Sequence, residues 1–363
     1  MTKLNIKKLV ALCAIIPAVL SAQVGNDDPS AEQGLIGDLV NMPTSNLTSA
    51  GQLLRFWLLH VGSAISNNKL SQPECATDVC CPWYAIADDL TQLFVDPATQ
   101  ECTDDARAAV RLGFHDAASW SKKLSADGKD TGGADGSFIL FREDERPENN
   151  GLQGFVTKIL AVRAKHPGVS AADLIQFAAH HATVSCPQGP RIAFFAGRVD
   201  ATEPSPPGLV PDVHDSSQNL INLFMDKTIN AADLAALLGA HTSAKQFHVD
   251  EGQATKPIDS TPGIWDTNFY NETLQSNATD GVFRFPSDLL LSKTEHVAVA
   301  WEGFVGEQSK WNEAYALAYT RLGLLGVNKI NDLIDCSNAL PPHIPDAPGA
   351  IGGQKRRRRN LYH

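Results

Sequence analysis

The sequence predicts a mainly α protein of two helical lobes with minor β structure, on three observations. Apolar residues recur at helical spacing over 81–94, 104–116, 151–163, 170–185, 213–225 and 230–241. Few stretches alternate with period two, and Gly/Pro/Asn/Asp-rich loops join the helical segments. Ser205-Pro206-Pro207-Gly208 divides the helices and marks the expected boundary between lobes 75–205 and 206–340.

The chain has 363 residues and a formal net charge of -11, a balance that argues against nucleic acid as a partner. Lys3, Lys7 and Lys8 precede an apolar run from Leu9 to Leu20, and Ser21-Ala22 follow it. This reads as an export signal over 1–22, cleaved after Ala22, and the run is too short for a membrane span. The expected location is therefore extracellular. Cys13 falls inside the signal, and six cysteines remain: Cys75, Cys80, Cys81, Cys102, Cys186 and Cys336. An even number in an exported chain implies disulfides, but spacing alone leaves their pairing open. Asn46, Asn271 and Asn277 head N-glycosylation sequons.

Residues 23–74 form an N-terminal extension with no motif. An apolar stripe of Leu47, Leu53, Leu54, Trp57, Leu58, Val61 and Ile65 predicts a helix over 46–66. Residues 341–363, with the basic run Lys355 to Arg359, read as a disordered tail, since a nuclear signal conflicts with export.

Two histidine segments carry the chemistry. In Arg111-Leu112-Gly113-Phe114-His115-Asp116, helical spacing puts Arg111 and His115 on one face. A neutral imidazole can take a proton there while a guanidinium steadies developing negative charge. The second segment, Asn230 to Thr242, reads as a capped helix, with Asn230 at the N-cap and His241 at the end of an apolar run. Neutral imidazole is the axial ligand of peroxidase haems, so two such helices can sandwich a haem. A zinc hydrolase finds no support: there is no His-Glu-x-x-His, and the adjacent His180 and His181 cannot share one helix face.

From about Cys75 to Cys336 the chain resembles the secreted fungal class II haem peroxidases of the plant-type superfamily. The resemblance rests on motifs in order: Arg111 to Asp116, Gly132-Gly133-Ala134-Asp135-Gly136-Ser137, Asn149-Asn150-Gly151-Leu152, Cys186-Pro187, Gly239-Ala240-His241-Thr242, and Asp259 to Asp266. It implies the two-lobed helical haem peroxidase fold, with one haem b between a distal and a proximal lobe and two Ca²⁺ ions.

By the same resemblance, Arg111 and His115 act on peroxide, Asn149 is the partner of His115 with Glu143 holding Asn149, and Phe114 packs on the peroxide side of the haem. His241 binds iron and donates its other N–H to Asp288. Asp116, Gly133 (carbonyl), Asp135 and Ser137 match the distal calcium site. Thr242, Asp259, Thr261, Ile264 (carbonyl) and Asp266 match the proximal one. The implied disulfides are Cys75–Cys81, Cys80–Cys336 and Cys102–Cys186.

Departures from the family narrow the reducing substrate. Its manganese-oxidising members use three carboxylates, matched here by Asp104, Ala108 and Phe247, and one carboxylate of three cannot make that site. Its lignin-oxidising members carry a surface Trp where Ala236 stands, and Ile258 occupies a position where many have Phe. The expected activity is reduction of hydrogen peroxide with one-electron oxidation of small phenolic donors at the haem edge, by a monomer of the generic low-potential type. The alternative is a catalytically silent haem- and calcium-binding secreted protein on the same scaffold. It is disfavoured because Arg111, His115, Asn149, His241 and Asp288 are all present.

Overall fold

The computed structural model describes residues 33–67, 75 and 77–345. The expected export signal and the basic run of the tail lie outside them. Within the described residues the chain is mainly helical. Its only named strands, Phe195–Ala196 and Ile334–Asp335, pair antiparallel with Phe195 opposite Asp335.

The distal half is built on helix Ala171–Ser185, in which every residue is buried. Helix Asp104–Ala117 packs along it. Thr103 caps that helix by accepting from Ala106 N, and Asp104 and Asp105 in the first turn complement its positive end. The contact is close because Gly113 faces the partner: a Cβ there would run into Ala179 and the Tyr319 hydroxyl.

The proximal half centres on helix Ala231–Leu238, with Asn230 accepting from Asp233 N at its start. Helices Glu295–Glu302 and Gln308–Leu322 pack on it. The helix was expected to run to His241, but it ends at Leu238 and tightens into a 3₁₀ turn, Gly239–Ser243. Side chains have taken the carbonyls that a further α-turn would use. Tyr270 Oη donates to Ala235 O at 2.8 Å, and Trp311 Nε1 donates to Ala236 O at 3.0 Å. Gly239 is required at this point, because a Cβ would collide with both of those aromatic side chains.

Two more helices are shorter than the periodicity suggests. The one expected over 213–225 runs from Ser217 to Asp226, since Asp212 folds the preceding residues into a turn by accepting from His214 N at 2.9 Å. The one expected over 46–66 is Ser49–Leu58, started by Thr48 and ended before the positive φ of His60 and Gly62. Leu54, Trp57 and Leu58 of its stripe are buried, whereas Leu53 and Val61 are exposed.

The described part of the extension belongs to the body. Buried Arg321 donates to Gly34 O at 2.9 Å and Leu58 O at 2.6 Å, and Thr48 Oγ1 donates to Asn331 O at 2.6 Å. His60 Nε2 lies 3.0 Å from Asp233 Oδ1, on the first turn of the proximal helix. All three implied disulfides form. Cys80–Cys336 spans 256 residues and, with the small sheet, returns the chain's end to the distal half. Closing so long a loop restricts the unfolded chain most.

Candidate active site

A cavity of about 820 Å³ lies between the halves. Arg111, Phe114 and His115 line one side, and Leu234, Leu237, His241 and Phe285 the other. The volume falls in the range of about 300–1,000 Å³ typical of cofactor sites.

On the distal side, His115 Nδ1 is 2.7 Å from Asn149 Oδ1, and Arg111 Nε donates to His115 Nε2 at 3.2 Å. A guanidinium can only donate, so Nε2 must carry the lone pair, and the ring proton sits on Nδ1 and is given to Asn149. Burial, reinforced by the Arg111 charge and opposed by the Asn149 bond, lowers His115 to about 3. Burial also lowers Arg111, but only to about 10, so it stays charged. The pair presents a neutral base beside a fixed cation.

Asn149 is held from behind by Glu143, through its backbone. Its Nδ2 donates to the backbone carbonyl of Glu143 at 2.8 Å. The Glu143 carboxylate instead accepts from Ser205 N and Oγ, both at 2.7 Å, and pairs with Arg146 at 3.2 Å. Glu143 therefore clamps the Ser205–Gly208 connection to the loop that sets Asn149. Sequence reasoning missed Ser205 in this role, because the contact spans 62 residues and nothing local signals it.

On the proximal side, His241 Nδ1 is 3.0 Å from Asp288 Oδ2, while Phe269 and Phe285 flank the ring edge-on at 5.6 and 5.4 Å. The side chain of Asp288 is 1 % exposed, and its Oδ1 has no hydrogen-bond partner within the protein. A buried carboxylate with an unused oxygen needs positive charge nearby, and an imidazole polarised by a metal supplies it. With one imidazole nitrogen left for the cavity and apolar walls around it, these residues fit a haem.

Two carboxylate clusters lie behind the histidines. Burial, and then repulsion from Asp135, pushes Asp116 well above its ordinary value. Asp135 is raised mainly by burial, against hydrogen bonds from the backbone and side chain of the buried Ser137. Gly133 O is engaged locally by Asp135 N at 2.8 Å. On the proximal side Thr242 Oγ1 bonds Asp259 Oδ2 at 2.5 Å, and Thr261 Oγ1 bonds Asp266 Oδ2 at 2.9 Å. Ile264 N closes the turn on Thr261 O at 2.9 Å. Burial raises Asp259 to about 8, with the Asp266 charge contributing, and Asp266 is raised in turn. Each cluster is a buried pair of carboxylates with hydroxyls and no protein cation, a donor set suited to hard Ca²⁺.

The donor positions are equally plain. Asp104 pairs with Arg107 at 2.6 Å and Lys245 at 3.0 Å, beside Ala108 and an exposed Phe247. Ala236 is fully buried and Ile258 nearly so. Burial lowers His180 to about 3 and His181 to about 4, and they bond Gln176 O and Ala87 O, as neutral core histidines do. The sequon residues Asn46, Asn271 and Asn277 are all exposed.

A peroxidase family model matches residues 91–307. The chain is similar to a peroxidase of Arthromyces ramosus, with 33% identity over 294 residues, covering 76% of this chain and 80% of the relative. It is 35% identical over 284 residues to versatile peroxidase VPS1 of Pleurotus eryngii, covering 73% and 76% of the two chains. Manganese peroxidase H4 of Phanerodontia chrysosporium is 33% identical over 287 residues, covering 72% and 74%. Likeness at this level, over most of both chains, means that this chain belongs to the peroxidase family, among its fungal haem enzymes.

Proposed function

We propose that this haem peroxidase reduces hydrogen peroxide with His115 as the proton carrier and draws its electrons from small phenolic donors at the cavity edge. The observation that carries the reading is the tautomer of His115: Nδ1–H is bound to Asn149 and the Nε2 lone pair faces the cavity. Haem, when bound, supplies the iron that accepts peroxide and stores its oxidising equivalents. His115 Nε2 takes the proton from one peroxide oxygen and returns it to the other, and Arg111 stabilises negative charge on the departing oxygen. Peroxide with two electrons and two protons becomes two waters. His241 would hold the iron, and Asp288, accepting its other N–H, would increase the imidazole's electron donation. Phe114 forms the wall beside His115.

Two calcium ions complete the site, one at Asp116, Gly133, Asp135 and Ser137, the other at Thr242, Asp259, Thr261, Ile264 and Asp266. Each cluster includes the residue next to a site histidine, so an ion holds both histidine segments in place. Two features favour phenols over Mn²⁺ or large non-phenolic aromatics. Asp104, the one matching carboxylate, already pairs with two cations. Ala236 is an alanine beneath the Trp311 and Tyr270 contacts.

The lobes divide at 205/206, and the protein is an exported monomer glycosylated at one or more of its exposed sequons. Three disulfides support export, and among the described residues no helix is long and apolar enough to cross a membrane. Stopped-flow mixing of the haem-loaded protein with peroxide tests the central role. His115→Leu is expected to keep haem and slow the reaction at least about 100-fold, the scale of one acid–base group. A rate within about tenfold of wild type would refute it.

A further inference from the structure

Residues 33–67 contribute nothing to the lining of the main cavity, yet they close on the helix that leads to His241. Asp233, in the first turn of helix Ala231–Leu238, has a side chain only 7 % exposed. Both of its oxygens are taken by the extension. Gln33 Nε2 donates to Oδ2 at 2.8 Å, and His60 Nε2 lies 3.0 Å from Oδ1 and 3.1 Å from Oδ2. A carboxylate only accepts, so His60 carries a proton on Nε2.

The backbone of His60 is unusual for its residue type. Val61 N donates to Phe56 O at 2.8 Å and His60 N to Trp57 O at 2.9 Å, a helix ending whose left-handed position ordinarily takes glycine. His60 occupies that position at φ 56°. A side chain is strained there, and such strain persists where the surroundings hold it. Glycine would end the helix without strain but could not reach Asp233.

Buried Arg321 ties the same parts together from the other side. Besides Gly34 O and Leu58 O of the extension, it donates to Thr228 Oγ1 at 3.1 Å, in the turn before Asn230. Burial lowers Arg321 to about 10, and the Asp233 charge opposes this. The far end of the helix is held by Tyr270 and Trp311, at Ala235 O and Ala236 O. Two turns of helix, about 12 Å, span the element, with Leu234 and Leu237 on the cavity wall. So short and closely packed a helix moves as a rod. A shift at Asp233 therefore reaches the turn Gly239–Ser243 and His241, whose Nδ1 is 3.0 Å from Asp288.

We propose that His60 is a positioning residue for the iron site. By holding Asp233 it sets the helix Ala231–Leu238, and through it the His241–Asp288 bond, so the extension tunes the site without touching it. The proposal rests on the reading of His241 as the iron ligand.

The experiment uses the haem-loaded full chain as wild type, His60→Leu, His60→Gly and His60→Gln. The readouts are the haem reduction potential, the rate of haem transfer to apomyoglobin and the unfolding temperature. In His60→Leu and His60→Gly, haem transfer should be about tenfold faster, the low end for groups that support a metal ligand from outside. The potential should rise in both, as the His241–Asp288 bond slackens. His60→Gln, whose amide N–H can reach Asp233, should keep both readouts close to wild type. His60→Gly separates position from stability, because glycine relaxes the left-handed backbone and keeps the unfolding temperature near wild type.

Wild-type potential and haem transfer in His60→Leu and His60→Gly, or a His60→Gln as altered as His60→Leu, would overturn the proposal. A normal reaction of those proteins with peroxide would then leave the peroxidase reading intact. Changes confined to His60→Leu and matched by a lower unfolding temperature would also overturn it, and leave His60 a packing role alone. A wild-type chain that binds no haem would overturn both readings.

Discussion

Asn149 Oδ1 lies 2.7 Å from His115 Nδ1 and decides which nitrogen of that imidazole is basic. Because the bond consumes the ring proton, the lone pair is left on Nε2, on the Arg111 side and toward the cavity. The backbone carbonyl of Glu143, holding Asn149 Nδ2, fixes the amide's direction and with it the tautomer. In the proposed reaction, proton transfer depends on this chain of three residues.

The pH dependence follows from the same contact. His115 must be neutral to accept a proton, and burial together with Arg111 lowers it to about 3. The rate constant for peroxide reduction is therefore expected to stay level from neutral pH down to about pH 5 and to fall as pH approaches 3. Arg111→Leu removes one of the contributions that lower His115, so its acid limb moves to higher pH, alongside a slower reaction throughout. Stopped-flow profiles of the two proteins check this, and an acid limb that stays put or moves lower contradicts it.

His241→Ala should yield protein without tightly held haem, because the imidazole is the protein's one bond to iron in this reading. Asp288→Asn should retain haem, but with a weaker electron donation from His241, seen as a raised reduction potential. A normal high-spin spectrum in His241→Ala would remove His241 as the ligand.

Calcium removal should inactivate the enzyme slowly. Burial raises Asp116 and Asp259, so without an ion these acids lose their charge, and with it the tie that holds the segments carrying His115 and His241. The expected readout is a change to a low-spin haem spectrum after chelation, reversed by added Ca²⁺. Activity that persists after metal analysis shows both ions gone would end this role for the clusters.

The donor range should be phenolic. Simple phenols are expected to be turned over, Mn²⁺ to show no saturation as a donor, and non-phenolic methoxybenzenes to be poor substrates. Lys245 and Arg107 already occupy Asp104, so restoring the two missing carboxylates by Ala108→Glu and Phe247→Asp should introduce Mn²⁺ oxidation only weakly unless Lys245 is also replaced. Saturable Mn²⁺ oxidation by the unaltered protein would show that the metal is held elsewhere.

Sequence alone determined which residue types stand where: the helical periods, the capped histidine segments, the carboxylate-rich turns and the positions of the cysteines. Local physics suffices for these, since helix spacing puts Arg111 and His115 on one face and Asn230 announces a helix start. Tertiary structure decided what depends on partners far along the chain. The helix carrying His241 gives way to a 3₁₀ turn because Tyr270 and Trp311 take its carbonyls. Glu143 turns its carboxylate to Ser205 and only its backbone to Asn149. The extension joins the body through Arg321 and Asn331, and Trp120 stays at the surface while the other tryptophans are buried. Each of these outcomes is a choice among hydrogen-bond partners and packing neighbours that lie far apart in sequence. Spacing along the chain does not encode that choice, because it is made only when the chain closes on itself.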